Sequence, residues 1–436
     1  MARPYQKAQY LASPGRMVAT TPGWAWRRNR VYWRGMNDTL FILGREPELS
    51  VAELNAMAKH WSGQVVWCST EAALVTTASE VPLNEFAKLG GSVKMIRVLE
   101  RWPAGTQPIE VVRAKLDWTW LQQFWPEGRV EFGVSAYGFS NSQRGTLIAH
   151  LLGVKKDIRA DKRPVRLVTS REPQHSAVTV QRNGLLKNGK EIVLVHHGDE
   201  IVVGVTVAVQ DYQAYSLRDF GRPNADPKNG MVPPKLAQMM LNIAGANTSD
   251  ILLDPFCGSG TVLQEAALMG VKQLHGSDNE AKAVKDSQEN LRWLVKELPQ
   301  LNIDLEITKM DARSSTIKPT MIVTEPYLGQ PLRGHEPLQW LKKQAAELAK
   351  LYHETFYQWK RILRPGGRVV MLWPLFVSEQ GNVQLELDTE VEKLGFVSQD
   401  LLTPEQAQVL KIENPKVLTY ARDDARVRRQ VRMWVV

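Results

Sequence analysis

"ILLDPFCGSGTVLQEAALMG", Ile251 to Gly270, is the stretch on which the fold class turns. Its opening, Ile251 to Phe256, is apolar but for Asp254 and Pro255, the composition of a strand buried on both faces. A glycine turn follows, and "GTVLQEAALMG" then reads as a helix closed by Gly270. A buried strand running through a tight turn into a helix is the first half of a βαβ unit.

The same rhythm continues toward the carboxyl end. "QLHGSD" is a second strand, followed by a helix opening at Asn279 with Val284, Leu291, Leu294, Val295 and Leu298 at helical spacing. "DLEITKMD" and "TMIVTEPY" supply strands three and four. A long helix from about Glu336 to Leu363 then leads into "RPGGRVVMLW", strand five. This alternation predicts an α/β domain over residues 233–436, a doubly wound parallel sheet with helices on both faces. Ligands of such sheets lie beyond the carboxyl ends of the strands.

Polar residues collect at that edge. Strand one ends in "DPFCGSGT", strand two in Asp278, strand three in Asp311 and strand four in Glu325. Gly258 and Gly260 permit a tight turn and a close backbone approach by a ligand. The helix that follows presents free amide donors, suited to a carboxylate or a phosphate. Asp278 is placed to accept both hydroxyls of a ribose, and Asp311 an adenine amino group. Neither a Walker A loop nor a G-x-G-x-x-G fingerprint is present. The ligand so outlined is an adenosine with a carboxylate-bearing tail, which favours S-adenosylmethionine over a nucleotide.

Before this domain the chain is α+β. Strand-like runs "TLFILG", "QVVWCST", "AALVTT", "VEFGVSAYG", "VRLVTS", "SAVTVQ", "EIVLVHH" and "IVVGVTVAVQ" alternate with helical patterns such as "SVAELNAMAKHW", where Ser50 and Glu53 form a capping-box pair. Residues 37–215 make up this region, and the Pro-, Gly- and Asn-rich segment 216–232 reads as a linker. Residues 1–36 hold seven Arg or Lys and no acid, the composition of a disordered basic tail, and Met36 is an alternative start. The two cysteines form no disulfide framework and no metal set, and they fit a reducing cytoplasm. No apolar run approaches the roughly 18 residues that span a bilayer. The net charge of +9 suits a polyanionic partner. "VKKDIRADKRPVR", Val154 to Arg166, concentrates six basic residues among two acids, followed by Arg171 and Arg182. Phosphate neutralisation accounts for Lys155, Lys156, Arg159, Lys162 and Arg163, and a solvated helix face accounts for them equally well.

"LLDPFCGSGTVLQEA" resembles the cofactor motif of amino-directed S-adenosylmethionine methyltransferases, and most closely that of the tRNA (guanosine-10-N2) methyltransferase family. "SLRDFGRP", "GMVPPKLAQMMLNIA" and "LFILGREPELSVAEL" are similar to that family's linker, pre-sheet segment and opening strand and helix. The resemblance implies a Rossmann-like methyltransferase domain behind a ferredoxin-like part and a THUMP-type RNA-binding region. It implies S-adenosyl-L-methionine as cofactor and tRNA as partner, and leaves room for a small activator subunit. Cofactor contacts carry over to Asp254, Phe256, Gly258, Gly260, Thr261, Asp278 and Asp311.

Strand four departs from the family pattern. Where the family has Asp-Pro-Pro-Tyr, this chain reads "TEPYLG", which puts Glu325, Pro326 and Tyr327 at the catalytic positions in the ungapped register. Slid by one, Thr324 takes the acid's place and Tyr327 the aromatic one. Guanine N2 is a poor nucleophile because its lone pair is delocalised, so an acceptor for the amino hydrogens is the residue this chemistry needs. Ribosomal-RNA guanine and DNA adenine amines would use the same chemistry, and a non-catalytic RNA-binding protein is the alternative of another class. Cys257 reads as a packed thiol and His196 and His197 as strand-end residues. Lys235 reads as a structural charge, and Trp340, Trp359 and Trp373 as core.

Overall fold

The computed structural model describes residues 37–170, 174–225, 231–421 and 425–436. The basic segment 1–36, Met36 and Arg171 lie outside them. Eight strands form the amino-terminal sheet: β1 (Asn37–Leu43), β2 (Gly63–Cys68), β3 (Ala72–Thr77), β4 (Ser92–Pro103), β5 (Val130–Tyr137), β6 (Val165–Val168), β7 (Lys190–His197) and β8 (Glu200–Val209). Their order is β2-β3-β1-β4-β8-β7-β5-β6, antiparallel except where β5 runs parallel to β6 and β7. The α+β expectation holds, and helices α1 (Pro47–His60) and α2 (Asn141–Ala160) accompany the sheet.

The strand that unites this sheet is one the sequence patterns passed over. β4 pairs with β1 on one side and with β8 on the other. Four charged residues interrupt its apolar pattern, and each has an acidic or indole partner. Lys94 donates to the buried Glu191, which also accepts from Ser135 and Thr206. Arg97 meets Glu80, Arg101 meets Asp38, and Glu100 accepts from the Trp102 and Trp120 indoles. Satisfaction on every side is what makes a buried charge tolerable here.

Two local expectations are corrected. "SAVTVQ" is not a strand: Ser176 caps a short helix, Ala177–Arg182, by accepting from the Thr179 amide. Ser50 and Glu53 do not box the start of α1, which begins at Pro47, so both lie inside the helix. Ser50 donates to the carbonyls of Glu46 and Gly91.

Toward the linker, α3 (Tyr212–Phe220) occupies its first residues, and α4 (Pro234–Ile243) opens the second half. Lys235 donates to Gln210 and sits over the Tyr215 ring, in the structural role expected. The second sheet comprises β9 (Ile251–Asp254), β10 (Gln273–Asp278), β11 (Asp304–Lys309), β12 (Met321–Thr324), β13 (Arg368–Ser378), β14 (Gly381–Gln384), β15 (Val397–Ser398), β16 (Leu418–Tyr420) and β17 (Val427–Val435). The order is β11-β10-β9-β12-β13-β17-β15, with β14 on β13 and β16 on β17. The first five strands in that order are parallel and β17 is antiparallel. Helices α5 (Thr261–Met269), α6 (Ala281–Glu297) and α7 (Leu338–Ile362) make the crossovers. The doubly wound reading is correct. Chain direction around the sheet reverses between β9 and β12, and a ligand crevice opens at that point. β12 ends at Thr324, one residue before Glu325, since Pro326 has no amide to continue the ladder. Trp359 and Trp373 are fully buried and Trp340 partly so, as core residues.

The halves share a core. Leu49, Val51 and Leu54 of α1 belong to the same apolar cluster as Leu236, Met240 and Leu241 of α4. Glu53, fully buried, crosses this seam: it accepts from the Gly90 and Gly91 amides at 2.8 Å each and from Asn242 Nδ2 at 2.7 Å. A side chain at Gly90 would strike the Lys235 carbonyl at 2.1 Å, so glycine is what allows the two segments to touch. Burial pushes the Glu53 carboxyl from 4.5 up to about 7 despite its three N–H donors. The native state therefore holds a proton that the unfolded chain has released, and stability falls as pH rises from 4.5 to 7. The loss is roughly 3 kcal/mol, at about 1.4 kcal/mol per tenfold change in proton affinity. In urea titrations between pH 5 and 7.5, Glu53→Gln is expected to show a flatter stability profile than the wild type. It should also be less stable throughout, because an amide nitrogen cannot accept from a backbone amide. An unchanged slope would remove Glu53 as its source.

Candidate active site

A cavity of about 1000 Å³ opens at the carboxyl ends of β9, β10, β11 and β12. Nine of the ten residues assigned to cofactor or catalysis line it: Asp254, Phe256, Gly258, Thr261, Asp278, Asp311, Glu325, Pro326 and Tyr327. The tenth, Gly260, lies behind the wall. Its φ is +84°, and a Cβ there would meet Ser287 Oγ at 2.4 Å, so it lets the turn close against α6. Gly258, at φ +49°, has nothing within 4 Å of where a side chain would begin. Its bare backbone therefore faces open space, the cradle expected of a glycine that a ligand approaches.

Each acid is held in its own way. The Gly258 amide donates to Asp278 Oδ2 at 3.1 Å and the Glu280 amide to Oδ1 at 3.0 Å. Both oxygens are oriented, and each keeps a lone pair for a further donor. Asp311 lines the cavity too, but Arg313 takes both its oxygens: Nε donates to Oδ1 at 2.9 Å and Nη2 to Oδ2 at 2.7 Å. This holds the Asp311 carboxyl below the usual range, and an adenine contact there competes with Arg313. Asp254 is buried and accepts from Thr324 Oγ1 at 2.6 Å and from the Phe256 amide at 3.3 Å. Burial raises it to about 7, with Asp278 and Glu325 adding repulsion.

Glu325 stands just past β12, and Arg429 Nε of β17 donates to its Oε1 at 2.5 Å. Burial raises the Glu325 carboxyl and the Arg429 charge works against the rise. Pro326 shares the wall. Tyr327 is about half exposed, while its carbonyl accepts from the buried Tyr352 hydroxyl at 2.8 Å. Thr324, by contrast, is fully buried with its hydroxyl spent on Asp254. The Cys257 thiol is buried and raised well above its ordinary value, chiefly by burial, as befits a packing residue.

Residues outside the expected set also shape the site. Arg222 donates to Thr261 Oγ1 at 2.8 Å and contacts Met231 Sδ, and Arg218 pairs with the buried Glu265 at 2.7 Å. These contacts bind the linker to α5. Arg429 was missed because it lies 104 residues from Glu325, and its strand shows only that charged and apolar residues mix.

The five basic residues assigned to RNA do not line the cavity. Lys155, Lys156 and Arg159 ride on α2, and Lys162 follows it; Lys156, Arg159 and Lys162 are exposed. Arg163 is committed elsewhere, donating to the carbonyls of Gly128, Trp125 and Pro126 and lying over the Trp118 ring.

Comparison with known proteins agrees with this geometry. A crystal structure of TrmN from Thermus thermophilus superposes with a TM-score of 0.51 at 17% identity, covering 91% of this chain and 99% of that one. At that identity the likeness shows the fold. A tRNA (guanine(10)-N2)-dimethyltransferase from Methanothermobacter thermautotrophicus is 34% identical over 151 residues, 34% of this chain and 40% of the relative. Its counterpart from Methanocaldococcus jannaschii is 32% identical over 169 residues, 38% and 42% of the two chains. The Bos taurus protein named tRNA (guanine(6)-N(2))-methyltransferase THUMP3 is 27% identical over 195 residues, 42% and 35%. The matches thus span less than half the length of these curated relatives. The family model described as "UPF0020: RMKL-like, methyltransferase domain" matches residues 224–380, from the linker through β12 and α7 to the end of β13, so this part of the chain is similar to the methyltransferase domains of that family.

Proposed function

We propose that this chain transfers a methyl group from S-adenosyl-L-methionine to the exocyclic N2 amine of guanosine in tRNA, with position 10 the favoured target. One observation carries the reading. The Glu325 carboxylate and the glycine turn with Asp278 face the same cavity from strands on either side of the switch point. The cofactor suits the residues present: Gly258 leaves room for it, the α5 amino terminus offers amides to its carboxylate, and Asp278 accepts from its ribose hydroxyls. Bound there, its sulfonium supplies an electrophilic methyl group.

The protein's part is to hold the nucleophile. Glu325 accepts from the amino hydrogens and so turns the nitrogen lone pair toward the methyl. Proton loss follows transfer, so no strong base is required. An ionised carboxylate is acceptor-only. It matches the adjacent N1–H and N2–H donors of guanine, whereas the adenine N1 beside its amine is itself an acceptor. This favours guanine over adenine. Tyr327 offers an exposed ring for stacking on a base withdrawn from its helix, a step that costs a few kcal/mol. The buried Thr324 supports the ungapped register, with Glu325 as the acid.

RNA recognition falls to residues 37–215, a region of ferredoxin-like and THUMP type, joined by linker 216–232 to the catalytic domain 233–436. Lys156, Arg159 and Lys162 supply phosphate contacts there. Lys155 contributes less, and Arg163 acts by shaping the loop at Trp125. No described helix is long and apolar enough to cross a membrane, and tRNA modification in the cytoplasm fits the reading.

Labelled S-adenosylmethionine, unmodified tRNA and mass spectrometry of the digested nucleosides test this directly, with N2-methylguanosine the expected product. Salt-sensitive binding without transfer would instead select a non-catalytic RNA-binding protein. Asp278→Ala is expected to weaken cofactor binding by roughly ten- to a hundredfold, the worth of a charge-assisted hydrogen bond. Glu325→Gln should bind the cofactor normally and lose turnover on the order of a hundredfold. Full activity in Glu325→Gln would show the carboxylate to be dispensable.

A further inference from the structure

We infer that Arg429 is the positioning residue of this site, holding Oε1 of Glu325 so that Oε2 is left for the substrate amine; the inference rests on Glu325 being the amino-hydrogen acceptor. Three observations carry it. Arg429 and Glu325 line the same cavity wall and meet at 2.5 Å, with both side chains largely buried. Arg429 comes from β17, opposite Pro374 of β13, so it reaches the β12 tip from two strands away. Among the described residues Oε2 accepts no hydrogen bond.

The pairing also accounts for glutamate where the resembling family has aspartate. Aspartate at position 325 would draw the carboxylate back by about 1.5 Å, the length of one carbon–carbon bond, and out of reach of the guanidinium. The longer acid and the arginine are thus two halves of one device.

The groups facing Glu325 define what that device does. Asp254 approaches from the end of β9, Tyr352 from α7, Tyr327 from its own loop and Arg429 from β17. Burial penalises the Glu325 charge and Arg429 opposes that penalty, while the Glu325 charge in turn raises Asp254. Stripped of Arg429, Glu325 would hold its proton to a higher pH than it does beside the arginine. A protonated acid presents an O–H donor and cannot accept as a carboxylate does.

The test compares wild type with Arg429→Met and, should that variant fold poorly, with Arg429→Gln, which keeps hydrogen-bonding capacity without charge. Methyl transfer to tRNA is measured as kcat and KM against pH, and the Glu325 carboxyl is titrated by carbon-13 NMR in glutamate-labelled protein, assigned with Glu325→Gln. The expected result is a loss of about tenfold or more in kcat at pH 7, recovered at higher pH, with the acid limb and the NMR midpoint both moved up by about one pH unit or more. Cofactor affinity should stay near the wild-type value. An unmoved NMR midpoint, or a uniform loss of kcat at every pH, would overturn the inference. If wild type transfers no methyl group, the proposed reaction fails, and the NMR midpoint still judges the pairing on its own.

Discussion

The hydrogen bond from Thr324 Oγ1 to Asp254 Oδ1 ties together the two strands on which the rest of the site depends. β9 and β12 are neighbours in space but 70 residues apart in sequence, and the chain reverses its direction around the sheet between them. Their last residues meet at the edge where the cavity opens. Everything delivered to that edge is positioned relative to this pair: the glycine turn follows Asp254 directly, and Glu325 follows Thr324. Both groups are buried, so each is the other's means of satisfying a polar atom that water does not reach. The bond that finishes the sheet is also the one that registers the glycine turn against Glu325.

A second constraint sits at the seam between the halves. α1 and α4 share one apolar cluster, and Glu53 joins a helix of the first half, the Gly90–Gly91 turn and a helix of the second. The chain after α4 enters β9 within a few residues, so the placement of the amino-terminal sheet is transmitted to the strand carrying the glycine turn. A buried, multiply bonded carboxylate at the seam is suited to fixing the offset between the amino-terminal sheet and the cavity.

Much of the second half was legible because parallel strands buried on both faces advertise themselves: Ile251–Asp254 and Met321–Thr324 are short apolar runs, and acids at their ends have few reasons to be there except the edge. The first half was harder for an equally physical reason. β4, the strand that makes it one sheet, carries Lys94, Arg97, Glu100 and Arg101, and its burial is rendered tolerable by Glu191, Ser135 and Thr206, whose proximity no local pattern records. "SAVTVQ" failed in the opposite sense. Its β-branched residues suggest a strand, yet a serine cap opens it as a helix. Ser50 and Glu53 had capping-box spacing, but the helix had begun three residues earlier with Pro47. Arg163 belongs to the same lesson. Composition grouped it with the exposed basic residues around it, while the fold spends it on three backbone carbonyls. Arg429 could not have been found at all without the antiparallel pairing of β17 on β13.

The two acids at the tips of β9 and β12 differ in their surroundings: among the described residues, Glu325 has a cation beside it and Asp254 does not. Asp254 is buried, close to Asp278 and Glu325, and has a hydroxyl and an amide as its donors; its carboxyl rises to about 7. Glu325 is also pushed up by burial, but Arg429 stands against the rise. Asp254 keeps its proton through mildly acidic conditions and serves the framework, with Oδ1 accepting from both donors. Of the two, Glu325 has the arginine beside it, and that charge works against the rise.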